Sequence, residues 1–228
     1  SSDNLANGAP DANATGLDAR DIVRYAIVVE NTGNGLNGAF DVTINDVVPA
    51  GFEVPAAGLD LCVTNGAGTP IPNTTTGFFS GAPTASPLGT GSITLADTTT
   101  GSLAPADPTS GDNVAVITYN LALVATTGAN TATTALTNTA NVTNYSATEG
   151  GPSFLPVTPA ADLVDTAFVA TKPLTVAKTR TDTSQASTSG ANVAIGEEVE
   201  YTVTVTVPEG TSRDVRLVDT LDTGLVMS

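Results

Sequence analysis

The sequence of 228 residues holds one cysteine, Cys62, and neither histidine nor tryptophan. A single thiol cannot close an intrachain disulfide. Without histidine, neither the usual zinc ligand sets nor a histidine-based catalytic triad can be assembled. Cys62 falls in the apolar run Leu59-Asp60-Leu61-Cys62-Val63 and is expected as a buried thiol in a strand, with an interchain disulfide as the alternative. Cations are scarce, with 7 Lys+Arg against 23 Asp+Glu and a net charge of −16. Residues 1–171 contain no lysine at all, only Arg20 and Arg24. This balance repels phosphate and anionic lipid, so neither a nucleic acid nor an anionic membrane surface is an expected partner. No apolar run approaches the ~18 residues that a membrane-spanning helix needs, so no membrane insertion is expected in this segment. Nor does a signal peptide open the sequence, so the chain is expected to be mature or cut from something longer.

What remains is Val, Ile, Leu and Ala set among Thr, Ser, Asn and Gly, a composition that favours strands and turns over helices. From Asp21 to Glu30 the chain alternates, with Val23, Tyr25, Ile27 and Val29 on one face and Arg24, Ala26 and Val28 on the other. Asn31-Thr32-Gly33-Asn34-Gly35 is turn chemistry, Phe40, Val42 and Ile44 open a second period-2 face, and Pro49-Ala50-Gly51 turns the chain again. Residues 55–112 form a long insert rich in Gly, Pro and Thr, with strand candidates at Leu61–Val63, Gly77–Phe79 and Ser92–Leu95. From Asn113 a run apolar on both faces predicts a central strand covered on both sides, and Leu136–Tyr145, Ala161–Val169 and Leu174–Ala177 follow as further strands. Ser1–Ala19 reads as an extended lead-in with little core of its own. No amphipathic helix stands out, and the expected class is an all-β sandwich.

The stretch Asp21–Val54 recurs near the C-terminus. Val23, Tyr25, Ile27 and Val29 match Val199, Tyr201, Val203 and Val205; Asp41, Val42, Ile44, Asp46, Val48, Gly51 and Phe52 match Asp214, Val215, Leu217, Asp219, Leu221, Gly224 and Leu225. The offset is 176 residues from Tyr25 to Tyr201 and 173 from Gly51 to Gly224. Such a period describes serial repeats, each large enough to fold alone. It divides the chain into residues 1–173, a repeat lacking its opening strand and carrying the 55–112 insert, and residues 174–228, the first strands of a second, incomplete copy. A half-sandwich with open edges is not a stable end product. Continuation in a longer tandem array is one expectation, and strand exchange between subunits is the other.

The pattern Val199-Glu200-Tyr201-Thr202-Val203-Thr204-Val205, Asp214-Val215 and Asp219-Thr220-Leu221-Asp222-Thr223-Gly224-Leu225 resembles the conserved-repeat domain of large bacterial and archaeal surface proteins. Asn31-Thr32-Gly33, Val48-Pro49-Ala50-Gly51-Phe52, Leu136-Thr137-Asn138-Thr139-Ala140 and Lys172-Pro173-Leu174-Thr175-Val176-Ala177-Lys178-Thr179 fit the same family. The turn Val207-Pro208-Glu209-Gly210 departs from it, where the family usually has Asn-x-Gly. The resemblance implies Ig-like antiparallel β-sandwiches in tandem on the cell surface, in adhesins, fimbrial shafts and surface layers. Related fimbrial domains form Lys–Asn isopeptide bonds with help from a buried carboxyl. Lys178 sits where the lysine of the opening strand would be and Asn138 lies in a late strand of the preceding repeat, so a Lys178–Asn138 link between subunits is one expectation. A solvated Lys178 at a strand end is the other.

No nucleophile–base pair or metal cluster can be built from these residue types, so no enzymatic activity and no resident cofactor is expected. Ca²⁺ is the one ion left open, by Asp3, Asp11, Asp18 and Asp21 in the lead-in and Asp97, Asp107 and Asp112 in the insert, although no EF-hand spacing is present. Asn13, Asn73, Asn141 and Asn144 begin glycosylation sequons. The function expected is that of an extracellular structural protein, a filament, shaft or surface-layer repeat whose partners are further copies of itself. The alternative is an adhesin module that contacts a glycan or protein through the 55–112 insert.

Overall fold

The computed structural model describes residues 13–33, 35, 37–47, 49–71, 92–96, 102–106, 109–124, 135–156, 163–189, 192–211 and 215–228. Among the described residues the strands are twelve: β1 (Asn13–Leu17), β2 (Ile22–Glu30), β3 (Ala39–Val47), β4 (Phe52–Glu53), β5 (Cys62–Asn65), β6 (Ser92–Ala96), β7 (Ser102–Leu103), β8 (Val114–Leu123), β9 (Ala135–Ser146), β10 (Val164–Thr171), β11 (Thr175–Thr183) and β12 (Val199–Thr206). A six-stranded sheet runs β1-β10-β9-β3-β6, with β7 also paired to β3. A four-stranded sheet runs β2-β8-β4, with β5 also paired to β8. The protein is an all-β sandwich of these two sheets, and β11 and β12 form a separate antiparallel ribbon.

Period-2 alternation builds the core. On β8, Ala115, Ile117, Tyr119 and Leu121 are buried while Val114, Val116, Thr118 and Asn120 are only partly covered. The strand expected to be covered on both sides is therefore buried fully on one face only, because the opposite sheet packs against that face alone. Facing these side chains are Val42 and Ile44 of β3, Leu136 of β9 and Val169 of β10. Phe52 and Val63, at the other edge of the smaller sheet, complete the cluster.

The lead-in contributes more than composition suggests. β1 pairs in parallel with β10, from Asn13 opposite Phe168 to Leu17 opposite Thr171, and Ala14 and Leu17 pack against the core. An exposed polar stretch can still add a strand, because the ladder satisfies backbone groups whatever the side chains are. The insert is woven into both sheets as well. β5 pairs with β8, and β6 and β7 both pair with β3, so its described ends extend the sandwich. The candidate at Gly77–Phe79 lies outside the described residues. Cys62 is exposed, not buried. Val63 takes the inward position on β5, at 6% exposure, and alternation then turns the preceding thiol outward.

One turn of the insert depends on glycine. Gly111 has φ +72°, and a Cβ there would stand 2.6 Å from the Ala67 nitrogen and 2.9 Å from the Gly66 carbonyl carbon. Gly66 N–H donates to Gly111 O, which ties the end of β5 to the entry of β8. Gly111→Ala is expected to cost about 2 kcal/mol, combining the left-handed backbone with a backbone clash. A lower urea midpoint at unchanged slope would show it.

Candidate functional site

The buried face of β3 runs Val42, Ile44, Asp46, so the alternation that buries two aliphatic residues buries a carboxylate next. Asp46 is fully buried. On β9, Leu136 and Asn138 share the inward face by the same rule, and β3 and β9 pair with Asp46 opposite Ala140. Asn138 is therefore a diagonal neighbour of Asp46 in one sheet. From the opposite sheet Tyr119 of β8 reaches across the core. Its hydroxyl donates to Asp46 Oδ2 and accepts from Asn138 Nδ2 at 2.9 Å. Tyr25 of β2 lies directly opposite Tyr119 in the ladder, with the rings stacked at 5.6 Å and 21°.

The cluster is rich in acceptors and poor in donors. Asp46 Oδ1, Asn138 Oδ1 and the Tyr25 hydroxyl are buried with no hydrogen-bond partner among the described residues. Burial pushes the Asp46 carboxyl up to about 6, against the opposing pull of its hydrogen bonds with Tyr119 and Asn138. Both phenols are driven above their ordinary range, first by burial and then by the charge of Asp46. A carboxyl that exchanges its proton near neutral pH, beside a carboxamide and away from bulk water, can shuttle protons for an attack on that carboxamide. It lacks only an amine, and residues 1–171 supply no lysine.

The second copy contains that amine. Lys178 of β11 binds Asp219 at 2.8 Å to Oδ1 and 2.9 Å to Oδ2, and its ammonium lies 4.5 Å from the centre of the Tyr201 ring. Asp219 and Tyr201 are the residues that the internal repeat aligns with Asp46 and Tyr25. Lys178 is exposed on β11 and carries an ion pair, with Asp219 nearly half exposed. Of the two residues expected to form a cross-link, Asn138 lies in the buried cluster of the sandwich and Lys178 in the matching cluster of the ribbon.

Sequence reasoning missed Asp46, Tyr119 and Tyr25 as one group. The available signal was a charged residue in phase with the buried face of β3 and kept as aspartate in both copies.

Among the sequon asparagines, Asn13 is exposed on β1, whereas Asn144 Nδ2 is engaged with Asp41 O at 3.0 Å. Asn141 is partly buried on β9 between β3 and β10, and Asn73 lies outside the described residues. Among the described residues no group of three or more Cys, Asp or Glu side chains gathers as a metal site. Of the aspartates named for Ca²⁺, Asp18 pairs with Lys172 at 3.4 Å and Asp112 accepts from Asn65 Nδ2 at 2.8 Å, while Asp3, Asp11, Asp97 and Asp107 lie outside the described residues.

No family model and no curated protein sequence matches the chain. Two solved structures resemble it. The group B streptococcus pilus 2b backbone protein matches with a TM-score of 0.40 and 18% identity over 68% of this chain. The T6 backbone pilin of serotype M6 Streptococcus pyogenes matches with a TM-score of 0.42 and 14% identity over 86% of it. The chain spans about half the length of these proteins, 54% of the first and 43% of the second.

Proposed function

We propose that the chain is a structural segment of an extracellular surface filament, shaft or surface layer, built from serial Ig-like sandwich repeats and assembled with further copies of itself. The observation that carries this reading is the internal repeat. The strand-and-corner unit around Tyr25 and Asp46 returns around Tyr201 and Asp219, 176 and 173 residues later. In the first copy the repeated element is β2 and β3; in the second, β12 keeps the strand while the described residues 215–228 form none, and serial modules reuse such a framework element.

Within this reading the Asp46–Asn138 pair is an amide-forming site that locks a lysine strand to the sandwich. A neutral lysine amine adds to Asn138 Cγ while protonated Asp46 hydrogen-bonds Asn138 Oδ1. Asp46 then carries a proton from the attacking nitrogen to the departing one. The bond from Cγ to the lysine nitrogen forms, the bond from Cγ to Nδ2 breaks, and one ammonia leaves with no redox partner. Such a bond resists pulling in a way that strand hydrogen bonds alone do not.

Electron microscopy of the native protein tests the structural reading, with regular fibres or lattices as the expected result. Isolated stalks that bind a glycan or protein through the 55–112 insert would favour the adhesin reading. Intact mass tests the amide, which removes one ammonia per bond and survives boiling in detergent.

A further inference from the structure

We infer that the open edge of β2 is a docking site for strand β11 of a second copy of this chain, which places Lys178 on Asp46. The inference rests on the reading of the Asp46–Asn138 cluster as a lysine acceptor. β2 pairs with β8 on one side, and among the described residues nothing pairs with its other side. Its counterpart in the repeat, β12, pairs with β11. The second copy therefore displays a strand at the edge that, among the described residues, is open in the first.

The register follows residue by residue. In the ribbon, Val176 of β11 lies opposite Val205 of β12, Lys178 opposite Val203 and Arg180 opposite Tyr201. Shifted by 176 residues, Val176 faces Val29, Lys178 faces Ile27 and Arg180 faces Tyr25. Directly opposed residues share a face of the sheet, so Lys178 enters on the buried side with Tyr25 and Ile27. The backbone of β2 is ready for it. Asn31 N–H donates to Asn113 O at 2.8 Å, and alternation back along the strand turns the amides of Arg24, Ala26 and Val28 to the open side.

The chemistry fits on both sides. An ammonium has three donors and no acceptor. The cluster beneath β2 offers three buried acceptors without partners, Asp46 Oδ1, Asn138 Oδ1 and the Tyr25 hydroxyl. In the ribbon the same ammonium rests on the half-exposed Asp219, where water screens the pair. Moving it onto a carboxylate that the fold has already desolvated strengthens the attraction, because most of the desolvation cost on the acid side is already borne. β11 has little to lose by exchange. All but its last residue are exposed, Val176 by 54%, and a two-stranded ribbon has only marginal stability in water. Its partner sequences are near equivalents, Val199, Tyr201, Val203 and Val205 against Val23, Tyr25, Ile27 and Val29.

Sedimentation and hydrogen exchange on the full chain test the docking. The wild type is expected to self-associate with rising concentration, and the Arg24, Ala26 and Val28 amides to become protected as it does. Ala26→Pro removes one outward N–H and blocks strand addition at an edge that tolerates proline, so it is expected to stay monomeric. Lys178→Met is expected to weaken association tenfold or more, on the order of one hydrogen-bonded charge. A wild type that stays monomeric, edge amides that exchange freely in the associated form, or association unchanged in Lys178→Met would each overturn the docking. The exchange measurement decides the matter even if Ala26→Pro does not fold. Mass separates the two readings: association at full mass keeps the docking and removes the amide.

Discussion

Asp46→Asn is expected to stabilise the dilute, monomeric protein at pH 8 by about 2 kcal/mol and to flatten its stability between pH 4 and 7. The carboxyl titrates near 6 in the fold, against an ordinary 3.8, because burial removes water from its charged form. A group raised in this way holds its proton more tightly folded than unfolded. Its contribution is therefore fully present below about pH 4 and is lost as pH rises through about 6, a difference of roughly 3 kcal/mol at 1.36 kcal/mol per pKa unit. The groups facing it are the Tyr119 hydroxyl and the Asn138 carboxamide, with Tyr25 behind them, and none carries a compensating positive charge. An asparagine keeps the shape and still accepts from Tyr119, while its own N–H₂ can serve the partnerless Asn138 Oδ1. Denaturation midpoints measured across pH check this, and an unchanged slope in the variant would place the titration on another group. The same substitution is expected to abolish the amide bond, since the proton shuttle is gone. Stability and cross-linking would then move in opposite directions, as they do where a buried charge serves a reaction instead of the fold.

How much of this was legible in advance varies element by element. β2, β3, β8 and β9 were readable because one buried face imposes a strict period of two, and Asp46 sat in phase with Val42 and Ile44. β1 was not, because a five-residue edge strand that sets only Ala14 and Leu17 against the core, three positions apart, leaves no period-2 side-chain pattern. The environment of Cys62 turned on a phase shift of one residue, which flips every side chain of a strand to the other face. Asn138 and Lys178 could both be singled out from a resemblance. Tyr119 could not, because its partners Asp46 and Asn138 lie 73 and 19 residues away in sequence and meet it only when two sheets stack. Contacts across a sandwich carry no periodic trace in either strand.

Tyr119 is also where the largest loss is expected. Tyr119→Ala removes a ring that is 1% exposed, stacks on Tyr25 and fills the centre of the core, and should cost about 3–5 kcal/mol. Tyr119→Phe isolates the polar part. It keeps the ring but strips Asp46 Oδ2 and Asn138 Nδ2 of their shared partner, at about 1.5–3 kcal/mol when the acceptor is ionised. The hydroxyl is one of the two groups that hold the Asp46 carboxyl down against burial, so its loss should move that titration further above 6. The phenylalanine variant should therefore lose more stability at pH 8 than at pH 5, and its pH dependence should extend to higher pH than that of the wild type. In the Asp46→Asn background the penalty for Tyr119→Phe should shrink by about 1 kcal/mol, because the hydroxyl then serves a neutral acceptor. A double-mutant cycle by urea denaturation at both pH values reads this coupling. Strict additivity would mean that Tyr119 acts through packing alone and that the hydrogen bond to Asp46 contributes nothing to the fold.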